Sequence, residues 1–345
     1  MKRNIWGLNL QELETWVVGN GFPRFRAKQL RDYLYKRHIF HFDEMTQFSQ
    51  KMRDWLKENG QIDKPVIISR AQSDDEKTIK LLLKLQDGSL VETVCMCHHY
   101  GNSICVSTQV GCAMGCIFCA STRKGLERNL TAGEILAQMY AFKELYDIPF
   151  HSIVLMGAGE PLTNYEEVLH FIHLANDPEL LNISYRNITI STCGIVPQIY
   201  RLADENIPIT LAISLHAPND RIRNVLVPIS KNFRIKDVVS AAEYYFKKTK
   251  RRVTFEYILI KDMNASVENA KELCRLIGKM PCHINLIPIN STEHIKLYPP
   301  EWKEIKLFQD ILLKKGKETT VRKQMGDEIQ AACGQLKRRY LNSVT

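Results

Sequence analysis

The sequence predicts an α/β chain: a partial, TIM-like (β/α)6 barrel behind a helical N-terminal accessory domain. Three observations predict it. From about residue 103, short β-rich runs alternate with segments of helical period, the pattern of a parallel sheet. Before residue 62 the spacing of apolar residues is helical only. Polar or glycine-rich residues close one expected strand after another, at the end where barrels carry their chemistry. A doubly wound sheet is the main alternative.

Taken in order, residues 1–62 form the first unit. Residues 25–37 set apolar positions at helical spacing against a basic face, and 48–56 offer a second helix stopped near Asn59-Gly60. A small helical domain with a basic face is expected to dock RNA, a simple solvated surface being the alternative. Residues 63–97 read as an extended β connector, with short strands at 65–69, 77–85 and 89–96 and a turn at Asp87-Gly88. Residues 98–345 hold the barrel. Its strands are expected at 104–107, 152–156, 187–191, 210–214, 252–260 and 283–287. Its helices are expected at 165–174, 196–204, 235–248, 267–280 and 302–315, and another opens at Thr131-Ala132-Gly133-Glu134 in the pattern of a capping box.

Composition bounds the function. The 345 residues are 45% hydrophobic, enough for a sizeable core. The longest apolar runs are far too short to span a bilayer, and the N-terminus lacks a signal-peptide pattern, so a soluble, cytoplasmic chain with no membrane partner is expected. A net charge of +9, from 47 basic and 38 acidic residues, suits a nucleic-acid partner and equally a mildly basic enzyme. Ten cysteines in so long a chain point to metal or redox chemistry rather than a disulfide scaffold. Cys95, Cys97, Cys193, Cys274 and Cys282 lie in or beside regular elements and read as packing residues.

The informative stretch is GCAMGCIFCAS, residues 111–121, where Cys112, Cys116 and Cys119 are spaced C-x3-C-x2-C directly after the first barrel strand. Structural zinc wants four protein ligands and a closed shell, which Cys105, Cys95 or Cys97 would have to complete. An iron-sulfur cubane held by three thiolates keeps one iron open for a small ligand. Other strand ends add polar groups: Met156-Gly157-Ala158-Gly159-Glu160-Pro161, Ser191-Thr192-Cys193-Gly194, Ser214-Leu215-His216 and Ile287-Pro288-Ile289-Asn290. Glycines there let a ligand approach the backbone, and Glu160 can accept hydrogen bonds from an ammonium. Each cluster alone is weak. Together they would converge on one cavity suited to a small molecule with amine, carboxylate and ribose groups.

The three-cysteine motif resembles that of the radical S-adenosylmethionine (SAM) superfamily, in which SAM chelates the open iron of a [4Fe-4S] cluster. Val91-Glu92-Thr93-Val94, the run from Cys105 to Cys112, Gly159-Glu160-Pro161-Leu162, the run from Ser214 to Asp220, and Ala331-Ala332-Cys333-Gly334-Gln335-Leu336 resemble the RlmN-type adenosine-C2 RNA methyltransferases over nearly the whole chain. The resemblance implies that Cys112, Cys116 and Cys119 hold the cluster, and that Gly159, Glu160, Ser191, Ser214, Leu215, His216 and Asn290 contact SAM. It implies that Cys333 is methylated on sulfur, that a second SAM gives the radical activating that methyl group, and that the carbon radical adds to carbon 2 of an adenine. Cys105 would then resolve the protein-RNA thioether through a transient disulfide with Cys333, and Glu92 would be the proton acceptor. The implied partners are 23S rRNA, at its peptidyl-transferase region, tRNA beside the anticodon, and a reductase or electron donor such as flavodoxin, with the protein a monomer. Two departures stand out: Ala158 occupies the place of the family's usual Met, and residues 291–294 lack an expected proline. Two other readings are a Cfr-type carbon-8 methyltransferase and a non-catalytic metal-bearing RNA-binding module.

Overall fold

The computed structural model of the protein describes residues 2–146, 148–290 and 297–322. Cys333, residues 291–294 and the basic residues Lys323, Lys337, Arg338 and Arg339 lie outside that set.

The N-terminal part is built from α1 (Leu10–Gly19), α2 (Phe25–Tyr35) and α3 (Gln50–Asn59), tied by a short parallel pairing of β1 (Arg3–Asn4) with β2 (Gly60–Gln61). Local chemistry starts the helices. Asn9 and Glu12 form a reciprocal capping box on α1, and the Ser49 hydroxyl accepts from Met52 N–H at the start of α3. Leu13, Leu30, Leu34, Met52 and Leu56 bury their stripes together. These helices dock on α4 (Ala132–Tyr146), where Trp6 meets Tyr140 edge-on at 5.2 Å. The backbones touch there: a Cβ on Gly133 would stand 2.2 Å from the Trp6 carbonyl oxygen. The α2 face expected to be basic is not all solvent-facing. Arg31 is buried and bonds Asp177 at 3.1 Å.

The rest is one ten-stranded sheet. β3 (Val66–Gln72), β4 (Thr78–Lys84) and β5 (Leu90–His98) run antiparallel and continue into β6 (Gly101–Cys105). A side hairpin of β7 (Gln109–Gly111) and β8 (Leu126–Asn129) follows. Then come β9 (Phe150–Leu155), α5 (Tyr165–Asn176), β10 (Ile188–Thr192), α6 (Val196–Asp204), β11 (Thr210–Ser214), α7 (Asp220–Leu226), α8 (Ile235–Thr249), β12 (Val253–Leu259), α9 (Val267–Ile277), β13 (Cys282–Pro288), α10 (Trp302–Lys314) and β14 (Glu318–Val321). The strand order is β14-β13-β12-β11-β10-β9-β6-β5-β4-β3. All neighbours from β6 to β14 are parallel, and among the described residues β3 and β14 are ends that do not pair with each other, so the barrel is partial. The capping box at α4 forms as expected: Thr131 N–H donates to Glu134 Oε2 and Glu134 N–H to Thr131 Oγ1. α9 stops at Ile277, earlier than its pattern suggested, because Gly278 takes a positive φ of 59°. Among the described residues no helix is long and apolar enough to cross a membrane.

Strand register sorts the side chains. Ile104, Ile153, Ile190, Ile213, Phe255 and Ile284 fill the core beneath the helices. The alternate positions fall on the opposite face, since paired residues in a ladder share a face. Cys105 pairs with Val94 and Val154, Ser191 with Ala212, Ser214 with Glu256, and Glu256 with Asn285. One concave face therefore carries Cys105 on β6, Val154 on β9, and then Ser191, Ser214, Glu256 and Asn285 on the four successive strands β10 to β13. Leu82 on β4 faces Glu92 on β5, which brings Glu92 and Lys80 to the same face.

Candidate active site

The cysteine loop joins β7 to β8. Its entrance requires glycine: Gly111 has φ +77°, and a Cβ there would lie 2.0 Å from the Gly125 carbonyl oxygen, which instead accepts Cys112 N–H at 2.9 Å. Thr122 Oγ1 donates to the Cys116 and Cys119 carbonyls, and Ile117 N–H reaches Leu226 O on α7. Cys112 and Cys116 are buried in an apolar cluster with Met114, Ile222, Leu226 and Ile260, and Cys119 packs at its edge. Burial pushes the Cys112 thiol up to about 11.

The turn after β9 wraps this loop. Gly159 has φ +110°, and a Cβ there would come within 2.6 Å of the Gln109 side chain. Ala158 acts through its backbone: its carbonyl accepts Thr108 and Gln109 N–H, and its N–H donates to Ser107 Oγ. The departure from the family's Met thus leaves the turn's hydrogen bonds intact. Glu160 is buried; Oε1 accepts Leu162 N–H at 3.0 Å and Oε2 accepts Cys193 N–H at 2.7 Å. Burial raises its carboxyl above the ordinary value, against those hydrogen bonds.

Cys193 is a residue the sequence reading set aside as packing. Its Sγ stands 3.9 Å from Cys116 Sγ, and the shared S–H lowers the Cys116 thiol while raising that of Cys193. Only the fold brings these two together, since they lie on separate loops.

The β11 end adds His216, at φ +59°, whose ring packs edge-on to Phe118 of the cysteine loop at 4.8 Å. His216 Nδ1 accepts Ile258 N–H at 3.1 Å, and burial, helped by the Arg223 charge, holds the imidazole at about 3. It is neutral, with its remaining proton on Nε2. Leu215 turns its side chain into the helix-side core, so it can meet a ligand only through its backbone. Asn290 is exposed just beyond β13. On the concave face, Lys80 Nζ lies 2.9 Å from Glu92 Oε2, with both groups buried. Cys105 is buried two strands from Lys80. Glu256 sits on that face as well, accepting from Asn285 Nδ2 at 2.8 Å, and burial raises its carboxyl. Neither Lys80 nor Glu256 showed itself in the sequence as more than a strand residue. Parity against Cys105 or Ser214 was the signal, and it needs the register.

Three thiols packed at one apolar cluster are the donor type that holds iron-sulfur clusters. Among the described residues, no three His, Cys, Asp or Glu side chains stand close enough to share a single metal. A cubane takes each thiolate on a different iron and asks for wider spacing. The guanidinium of Arg223 also calls for an anion: it is fully buried, and among the described residues its Nη1 has no hydrogen-bond partner.

Comparison with known proteins agrees with this geometry. Residues 106–274 match the Radical SAM superfamily, and residues 3–62 match the ribosomal RNA large subunit methyltransferase N-terminal domain. The chain is 47% identical over 342 residues to the "Probable dual-specificity RNA methyltransferase RlmN" of Clostridium novyi, covering 99% of each. It is also 47% identical over 341 residues to the protein of that name from Clostridium perfringens, covering 99% of this chain and 98% of the other. A solved radical SAM methyltransferase from Sphaerobacter thermophilus superposes with a TM-score of 0.91 at 41% identity, over 96% of this chain and 98% of that one.

Proposed function

This chain belongs to the RlmN family of radical SAM RNA methyltransferases, and we propose that it methylates carbon 2 of an adenosine in 23S rRNA and of an adenosine beside the tRNA anticodon. The observation that most supports the reading is the meeting of three strand ends. Glu160 grips Cys193 N–H, Cys193 lies against Cys116, and His216 packs on Phe118 of the same loop.

In this reading Cys112, Cys116 and Cys119 hold a [4Fe-4S] cluster. Bound there, the cluster and SAM supply a methyl group and, on reduction, a carbon-centred radical. The buried apolar cage around the cysteines excludes water, which protects such a species. Glu160, a buried carboxylate at the end of β9 that meets Cys193 beside the cysteine loop, is the residue to receive an ammonium. Gly159, Ser191, Ser214, Leu215, His216 and Asn290 surround the same ligand, with His216 as a neutral Nε2–H donor. Cys333 accepts the methyl group on sulfur, and the Cys105 thiolate later attacks that sulfur, forming the disulfide while the RNA-linked carbon leaves with the S–C electron pair and takes up a proton to become methyl. Glu92, whose Oε2 lies 2.9 Å from Lys80 Nζ, takes the proton lost from carbon 2 of the adenine. Residues 1–62 dock RNA, with exposed Lys28 and Arg37 among the phosphate contacts. A flavodoxin-class donor in the cytoplasm supplies electrons.

Nucleoside mass spectrometry tests this. Unmodified 23S rRNA and tRNA are incubated anaerobically with reconstituted protein, SAM and a reductant. 2-Methyladenosine is expected in both. 8-Methyladenosine alone would move the chain to the carbon-8 class, and no methyladenosine from a cluster-loaded, SAM-cleaving protein would sink the RNA assignment.

A further inference from the structure

Arg223, on α7, has no exposed surface at all. Its Nε donates to Leu215 O at 3.1 Å, and its Nη2 donates to the Cys193 and Ser214 carbonyls. All of these acceptors are neutral, and they lie at the ends of β10 and β11. Among the described residues, Nη1 is buried with no hydrogen-bond partner and no carboxylate stands within ion-pair distance of the side chain. Burying a guanidinium this way is unfavourable unless an anion lies near. The charged or titratable groups that act on it are Cys193, Cys116, Asp220 and His216. Asp220, whose Oδ1 accepts Ile235 N–H at 2.7 Å, acts on it more weakly than Cys193 and Cys116, and His216 is neutral. What remains is the sulfur side, where Cys193 bridges from the Arg223 contact to Cys116 at 3.9 Å.

Three thiolates on a [4Fe-4S]2+ core carry a net charge of −1, and one-electron reduction makes it −2. A cation fixed in a low-dielectric site stabilises the more negative state. We propose that Arg223 is the electrostatic partner of the cluster, a positioning residue that makes the cluster easier to reduce. The inference rests on the reading that Cys112, Cys116 and Cys119 hold that cluster.

The test is an EPR-monitored redox titration of reconstituted protein with dithionite, alongside iron and sulfide analysis. Arg223→Gln removes the charge and keeps amide donors; Arg223→Lys keeps the charge. At a fixed poise where wild type is partly reduced, Arg223→Gln should show about a tenfold lower ratio of reduced to oxidised cluster, equal to about 59 mV for one electron. Arg223→Lys should stay within about twofold of wild type. Arg223→Met replaces the glutamine variant if that one does not accumulate. A neutral variant that loads full iron and keeps the wild-type potential overturns the proposal. If neither neutral variant loads iron, Arg223→Lys decides. Normal loading and potential uphold the charge requirement, whereas failure of all three makes Arg223 a strut for backbone carbonyls and overturns it. Wild type with no reducible cluster would instead defeat the underlying ligand assignment.

Discussion

At the scale of single residues, the site is held by buried polar groups whose environments decide their state. Lys80 and Glu92 form an ion pair with side-chain exposures of 0% and 8%. Removing one partner of such a pair leaves a charge in low dielectric. Lys80→Met is expected to cost about 3–5 kcal/mol in chemical denaturation, and Lys80→Met/Glu92→Gln to recover most of it. A single-variant loss under about 1 kcal/mol would mean that the pair is effectively solvated. His216 gives a pH prediction. Its folded imidazole sits at about 3 against an ordinary 6.5. Below pH 6.5 the unfolded chain binds a proton that the folded chain refuses, so this contribution is whole above 6.5 and is lost as the pH falls toward 3. His216→Asn, tolerable at positive φ, should flatten the acid slope of stability across that window. An unchanged slope would show that other groups carry it. Of these residues, the cysteines and glycines were legible in the sequence because their spacing is their signal. Lys80, Cys193 and Arg223 were not, because each matters through a partner distant in the chain.

At the scale of elements, local patterns set where helices and strands lie, and long-range contacts trimmed them. The capping box opening α4 and the strand from 210 to 214 were readable from side-chain chemistry alone. The β7–β8 hairpin that frames the cysteine loop was not, since it has three and four residues and depends on Gly111 passing Gly125. The seam between α4 and the N-terminal helices makes a similar point. Propensity favours Ala over Gly inside a helix by about 1 kcal/mol. Yet a Cβ on Gly133 would press to 2.2 Å against a backbone oxygen, which cannot rotate away. Gly133→Ala is therefore expected to destabilise the protein by about 1–3 kcal/mol. A stabilised variant in thermal denaturation would mean that the seam opens at little cost.

At the scale of the whole molecule, the open sheet makes one concave polar face and covers its other face with helices. Cys105 sits near the middle of that face, between the antiparallel strands bearing Glu92 and the parallel strands bearing Ser191 and Ser214. If it resolves the adduct, Cys105→Ala should leave protein covalently joined to RNA on a denaturing gel, and Cys333→Ala should give neither adduct nor methylation. Only free RNA beside active wild type would count against that role for Cys105. The sequence by itself determined the fold class, the alternation of strands and helices from β9 to α10 apart from α7, and the cysteine loop with its glycine-rich neighbour, because periodicity and motif spacing are local properties of a chain. Tertiary structure decided which strand residues share the face opposite the helices, that Cys193 meets Cys116, and that Arg223 is buried with no carboxylate paired to it among the described residues. Those outcomes depend on strand register and on loops converging from separate βα units, and neither is encoded in any short stretch.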